Sequence, residues 1–227
     1  MTRALGVRLA AEAAGTALLV GIGTGAIVAS VGLGPERFVV LSIAWFLAVT
    51  IPVLLFAGVS GAHLNPLVSL ALAGDRRIPW GEVLPHVIAQ VAGAFLGSGA
   101  VAIFLGTGAH LGATVPSSDD IVRLTIDEGT FTFALIMSVL ALVRAGPGRW
   151  RWHLLWPGAV VGVSTFLIGP MTGSSLNPAR SLAPAVLSGT YPELGFYFLA
   201  TTAGALLALG AVTAWERFGS DHRPTSG

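Results

Sequence analysis

An Asn-Pro pair opens a short apolar run twice in this sequence, at Asn65-Pro66 and again 112 positions later at Asn177-Pro178. The surroundings repeat too. Gly61-Ala62-His63-Leu64-Asn65-Pro66-Leu67-Val68-Ser69-Leu70-Ala71 and Gly173-Ser174-Ser175-Leu176-Asn177-Pro178-Ala179-Arg180-Ser181-Leu182-Ala183 agree at seven of eleven positions. Asn is among the best N-cap residues and Pro is favoured at the first helical position, so each pair reads as a helix start. In a cap the Asn oxygen accepts from backbone N–H groups, which leaves its NH2 free to donate into the space ahead. Two such caps facing each other make a waist with two fixed donors and two positive dipole ends. Water or a hydroxyl is oriented there, whereas a cation or hydronium meets a positive field with no anionic ligand. A single Asn-Pro reads as a turn or cap; two in register read as a matched pair.

The other polar residues of the apolar segments are few. Glu12 and Glu128 each lie near the start of a half of the chain. They read as supports that accept N–H groups from the half-helix loops, since an unpaired buried charge is costly, with a proton relay as the alternative. His63 reads as a loop brace, with a gate as the alternative. His86, His110, His153 and His222 fall at helix ends where nothing recommends them as ligands. Arg180, a charge inside an apolar segment, is a functional candidate. No metal, nucleotide or nucleophile constellation is present, and no cofactor is implied.

The elements that must carry these residues follow from hydropathy. Charged residues are 10% and apolar ones 54% of the 227, a bilayer composition. A spanning helix needs roughly 20 apolar residues. Six segments meet that length: Leu9 to Val31, Phe38 to Val59, Val83 to Leu105, Leu124 to Val143, Leu154 to Met171 and Leu194 to Trp215. Leu64 to Ala73 and Leu176 to Leu187 are too short to cross and must dip in and stop, or lie on the surface. Three crossings per half is an odd number, so the second copy is inserted upside down. The fold class is therefore all-α: six transmembrane helices plus two re-entrant half-helices in an inverted repeat, over residues 8–112 and 124–217 of one domain, 1–227.

Orientation follows from arginine, because the chain has no Lys. Arg3, Arg8, Arg76, Arg77, Arg144, Arg149, Arg151, Arg217 and Arg223 fall on one side, against Arg37 and Arg123 on the other. Both termini are then cytoplasmic, as expected for a multi-pass protein of the plasma membrane. Trp150, Trp152 and Trp156 read as an interfacial belt. A net charge of +1 argues against nucleic acid as a partner. Absence of cysteine leaves the redox compartment open.

From Leu9 to Trp215 the chain resembles the major intrinsic protein, or aquaporin, family. The resemblance rests on the paired Asn-Pro motifs, the intact Asn177-Pro178-Ala179-Arg180, the Ser60-Gly61-x-His63-x-Asn65-Pro66 lead-in, Glu12, Glu128 and Gln90-x-x-Gly93. It implies a pore in every subunit of a homotetramer, with a waist at Asn65, Pro66, Leu67, Asn177, Pro178 and Ala179. Leu67 stands where the family usually has Ala, which bears on packing or pore width at the waist. The resemblance also implies a selectivity filter, which counting from the motifs places at Trp45, Thr165, Ser174 and Arg180. Water-only members typically carry Phe and His at the first two of these positions. Thr165 and Ser174 opposite Trp45 suit a wider opening, with polyol carbons on the indole and hydroxyls on the guanidinium. The pattern is closer to plant nodulin-type proteins and glycerol facilitators than to water-only channels.

The leading expectation is a passive channel for water and small uncharged solutes of the glycerol type, lodged in the lipid bilayer and excluding protons and ions. The alternatives are a water-selective channel, an ion-coupled secondary transporter, whose folds also use inverted repeats with broken helices, and a structural junction protein.

Overall fold

A computed structural model describes residues 3–145 and 150–220, with side chains omitted for 150, 151 and 218–220. Arg149, His222 and Arg223 lie outside the described residues, as do the side chains of Trp150 and Arg151. Helices α1 (Leu5–Ala29), α2 (Arg37–Ser60), α3 (Pro66–Gly74) and α4 (Val83–Leu105) form the first half. The second half holds α5 (Ile121–Ala145), the single turn α6 (Trp150–His153), α7 (Trp156–Leu167), the short α8 (Gly169–Thr172), α9 (Pro178–Ser188) and α10 (Leu194–Ser220). No strand occurs among the described residues.

Five of these helices are long and apolar enough to cross a bilayer. The fifth crossing in chain order differs from the continuous span expected over Leu154 to Met171. It starts at Trp156, runs 12 residues to Leu167, breaks at Ile168 and resumes for one turn to Thr172. At ~1.5 Å per residue the first piece covers only ~18 Å. Gly169-Pro170 explains the break, since Pro170 has no N–H for the carbonyl one turn earlier. The outer surface is what a bilayer requires: Ile103 and Phe104 are 79% and 81% exposed, an aggregation site in water but ordinary against lipid. Trp80, Trp152, Trp156 and Trp215 are all exposed at the end of the bundle that carries the termini, as interfacial anchors are. Arg8–Glu82, Arg77–Asp75 and the contacts of Arg144 with Asp75 and Glu216 collect at that same end.

The duplication is visible in packing. In the first half α1 lies along α4, and in the second α5 lies along α10 in the same way. The contact points are paired glycines. A Cβ on Gly93 would stand 2.2 Å from the Ala13 carbonyl oxygen, and one on Gly204 would stand 2.2 Å from that of Gly129. With no hydrophobic effect to drive helices together inside lipid, backbone approach of this kind supplies the dispersion contact that does. The half-helices α3 and α9 are buried within the bundle, their Asn caps meeting between the two halves.

Gly204→Val forces a side chain into the Gly129 backbone, so it should cost at least about 3 kcal/mol or prevent folding. The check is the thermal melting of the detergent-solubilised variant beside Gly195→Val, a site with open space around its Cβ, which should melt like the unmodified chain.

Candidate functional site

The half-helix lead-ins are irregular backbone deep in the bundle, where no lipid can hydrogen-bond them. In each, a glycine is followed by two left-handed residues: Gly61, Ala62 and Leu64 have φ of 92°, 47° and 53°, and Gly173, Ser174 and Leu176 have 77°, 50° and 53°. Such conformations persist only where the surroundings impose them. Here the surroundings are two buried carboxylates. Glu12 Oε1 accepts from Ser60 Oγ at 2.6 Å and His63 N at 2.9 Å, while Oε2 accepts from Leu64 N and Gln90 Nε2, both at 2.8 Å. Glu128 accepts from Thr172 Oγ1 at 2.7 Å, from Ser175 N at 2.9 and 3.1 Å, and from Leu176 N at 3.1 Å. Charge-assisted bonds of this type are worth about 1.5–3 kcal/mol each, and together they offset the burial of the charge.

The loops then present Asn65 and Asn177. Each side-chain oxygen caps its own half-helix, on Leu67 N at 2.9 Å and on Ala179 N at 3.0 Å. Each amide nitrogen crosses to the other half: Asn65 Nδ2 donates to the Leu176 carbonyl and Asn177 Nδ2 to the Leu64 carbonyl, both at 2.9 Å. The NH2 groups are therefore not wholly free, contrary to what the capping argument expects. One N–H of each ties the halves together, and one of the two per amide remains. Both residues line a cavity of 310 Å³ that reaches from Trp45 and Arg180 to Arg77 and Ile78. Leu67 is not on that cavity. It packs with Ile136 and Leu140 of α5 and Ala205 and Ala208 of α10, so its extra bulk is taken up in the core behind the waist rather than in the pore. Pro66 and Pro178 sit at the first helical positions, and Ala179 is buried.

Arg180 is 1% exposed. Its guanidinium lies 4.6 Å over the Trp45 ring, with Nη1 on the Gly112 carbonyl at 2.9 Å and Nη2 near the Gly173 carbonyl at 3.4 Å. Trp45 and Arg180 thus touch, so the guanidinium covers part of the indole face that the polyol argument gives to solute carbons. Thr165 and Ser174 are both buried, and their hydroxyls are engaged by the Val161 carbonyl at 2.9 Å and by Ser164 Oγ at 2.8 Å. His63 lines the cavity with Nδ1 3.0 Å from Ser69 Oγ. His86, placed by sequence at a helix end of no consequence, is fully buried and stacked on His63 at 4.9 Å.

Sequence reasoning missed Gly112. It closes a turn in which Ala109, His110 and Leu111 are also left-handed, has φ +70°, and leaves 2.9 Å between a Cβ and Thr24. Only a residue without Cβ brings that carbonyl onto Arg180. The one signal in the sequence is the glycine-rich stretch Gly106 to Gly112, which reads as a loop and nothing more.

Geometry of this kind belongs to a membrane channel: two half-helices enter from opposite sides, and only together do they leave a polar path through the bundle. Comparison with known proteins agrees. The model of the family described as "Major intrinsic protein" matches residues 3–212. The chain is 34% identical over 201 residues to aquaporin NIP1-1 of Oryza sativa, covering 88% of this chain and 70% of that protein. It is 33% identical over 205 residues to glycerol uptake facilitator protein-like 6 of Lactiplantibacillus plantarum, covering 87% and 93%. Among solved structures, the X-ray structure of the aquaglyceroporin from Plasmodium falciparum superposes with a TM-score of 0.77 at 27% identity, over 91% of this chain and 95% of that one. The chain belongs to the major intrinsic protein family. It is a passive channel of the water and small-solute type, not an enzyme.

Glu128→Gln replaces an acceptor-only group by an amide whose NH2 faces the Ser175 and Leu176 N–H donors. The loss of one charged acceptor should cost about 2–4 kcal/mol. Melting of the variant in detergent and its water permeability in liposomes should fall together.

Proposed function

We propose that this chain conducts water and small uncharged solutes of the glycerol type and excludes protons and ions. The observation that carries the reading is the cross-linked pair of Asn caps beneath a buried, stacked Arg180. Two half-helix N-termini and a guanidinium place positive potential along the path, with no carboxylate on the cavity wall among the described residues. A neutral solute exchanges its water hydrogen bonds for the remaining amide N–H groups and the Leu64 carbonyl side of the loop. A cation finds no replacement for its hydration shell. Glu12 and Glu128 are bonded to loop N–H groups, which supports a bracing role over a proton relay. The reading takes Trp45, Thr165, Ser174 and Arg180 as the filter, His63 as pore-loop support, and the single unit 1–227 as one pore of a homotetramer. It places both termini in the cytoplasm and the channel in the plasma membrane, following the arginine distribution.

Preference for polyols is supported by the small Thr165 and Ser174 at the proposed filter and by relatives that include a glycerol uptake facilitator-like protein and an aquaglyceroporin. A second reading, a water-only channel, is favoured by the contact between Arg180 and Trp45, which removes the space between them. Stopped-flow light scattering of proteoliposomes against glycerol, urea and sucrose separates the two: glycerol permeability well above that of empty vesicles supports the first reading, and water flux with no glycerol flux supports the second. Uptake that collapses when a proton or sodium gradient is dissipated would reject both.

Thr165→His places a rigid ring at the proposed constriction. Glycerol flux should fall at least about tenfold and water flux less than about threefold, a size effect expected of a pore wall that gains one aromatic ring. Equal loss of both would remove Thr165 from the filter. Arg180→Val should admit a measurable proton leak while water flux persists, because a fixed charge in a low-dielectric pore is worth several kcal/mol to an ion. A pH-sensitive dye trapped in the same vesicles reads the leak.

A further inference from the structure

Ser69 and Ser181 stand at the same place in the two half-helices, and each bonds the residue two before its Asn cap: His63 Nδ1 is 3.0 Å from Ser69 Oγ, and Ser175 Oγ is 2.5 Å from Ser181 Oγ. Each serine also has a second partner, and there the halves part. Ser69 Oγ accepts from Gln90 Nε2 of α4 at 3.0 Å. The counterpart of Gln90 on α10 is Thr201, because Gly93 and Gly204, three residues further on, make the same backbone contact with α1 and α5. Thr201 does not reach Ser181. Its hydroxyl turns back to the Tyr197 carbonyl of its own helix, at 2.7 Å. The partner comes instead from the connection between α4 and α5: Thr114 Oγ1 donates to Ser181 Oγ at 3.1 Å, and both residues are buried.

Thr114 follows Gly112 by two residues, and Ser181 follows Arg180 by one. The connection therefore grips α9 at two adjacent residues, with the Gly112 carbonyl 2.9 Å from Arg180 Nη1 and the Thr114 hydroxyl on Ser181. Among the described residues, its other polar ties to the second half lie further off. Ser117 N donates to the Met171 carbonyl at 2.8 Å, and His110 Nδ1 is 3.1 Å from Thr190 Oγ1 at the surface. The main chain at Thr114 also lies against Gly173, where a Cβ would stand 3.3 Å from Thr114 Cα. Thr114 itself is not on the cavity wall.

We propose that Thr114 is a positioning residue of the filter: its bond to Ser181 sets how the 112–114 segment lies on α9, and that placement aims the Gly112 carbonyl at Arg180. The inference rests on the channel reading above and on its assignment of Arg180. A hydrogen bond weakens steeply as its length and angle depart from the ideal, so a small slide of the segment is enough to release Nη1. The guanidinium is then left with the Trp45 ring and the longer 3.4 Å contact to the Gly173 carbonyl. Its charge is no longer fixed at the constriction, and exclusion of protons weakens.

The test is proton leak under a pH step, read by a pH-sensitive dye trapped in phosphatidylcholine–phosphatidylglycerol vesicles that hold the full chain. Thr114→Val keeps the shape of the side chain and removes the hydroxyl. It should raise the leak at least about threefold, while melting in detergent shifts by less than about 5 °C, the scale of one buried bond. Thr114→Ser keeps the hydroxyl and should restore exclusion. A double variant decides whether the effect runs through Arg180: added to Arg180→Val, Thr114→Val should change the leak by less than about 1.5-fold, because the charge it aims is gone. A Thr114→Val leak below threefold overturns the proposal. So does a leak that multiplies in the double variant, which marks a general loosening of the bundle. Thr114→Ala, which adds no bulk, is measured alongside; if neither variant yields a folded channel, the hydroxyl is needed for folding and the proposal falls. An unmodified chain without water flux, or an Arg180→Val variant without a leak, is a different failure, that of the channel reading and its filter, and the proposal falls with it.

Discussion

Two buried carboxylates hold open a stretch of backbone that a bilayer would otherwise forbid. Irregular main chain at membrane depth survives only if every N–H and C=O is met from inside the protein. Glu12 and Glu128 meet the loop N–H groups of residues 63–64 and 175–176, and in doing so fix alternate residues in left-handed conformations. The Asn caps, their cross-links to the opposite loop and the line of the cavity all follow from that placement. The glycine contacts pack α1 closely against α4, whose Gln90 also bonds Glu12, and α5 equally closely against α10.

The halves match in scaffold and differ in chemistry. Ser60 and Thr172, His63 and Ser175, Ser69 and Ser181 occupy equivalent places, and each pair keeps its bond: His63 with Ser69 at 3.0 Å, Ser175 with Ser181 at 2.5 Å. Arg180 stands opposite Val68, so the duplication carries a charge in one half only. That charge needs support, and groups of the first half provide it. The left-handed turn ending at Gly112 supplies a carbonyl, and Trp45, lodged against Gly23, supplies a ring face. An arginine held by carbonyls and an indole stays charged and aimed without a carboxylate partner, which would cancel the field that the proposed filter requires.

Stacking of Arg180 on Trp45 also changes how a solute is to be pictured. The two groups form one wall rather than two jaws. In the proposed reading a polyol slides its carbons along the apolar side of the cavity, lined by Val49, Val53 and Leu135, and meets polar groups only at intervals. Neutral solutes tolerate that sparse pattern because each lost hydrogen bond with water is replaced a few ångströms on. In the proposed reading ions do not, because the cost of desolvating a charge is larger than a few dipoles repay.

The paired Asn-Pro, the short apolar runs after them and the five continuous spans were legible in the sequence, because capping and bilayer thickness are local or one-dimensional constraints. Pro170 was visible as well, yet the break it makes at Ile168 was read through as one span, since hydropathy averages over a single missing donor. Side-chain direction was not legible. Leu67 follows the waist in sequence but turns into the core, because the helix rotates its first turn away from the pore and toward α5 and α10. Whether an amide donates to solvent or to a carbonyl 111 residues away is likewise set by how the halves meet. The same holds for His86, an ordinary helix-end residue in sequence whose burial against His63 depends on how the first pore loop meets α4. Local preference and membrane length determine the elements; only the packing of one inverted half against the other decides which polar atoms find partners and which are left without.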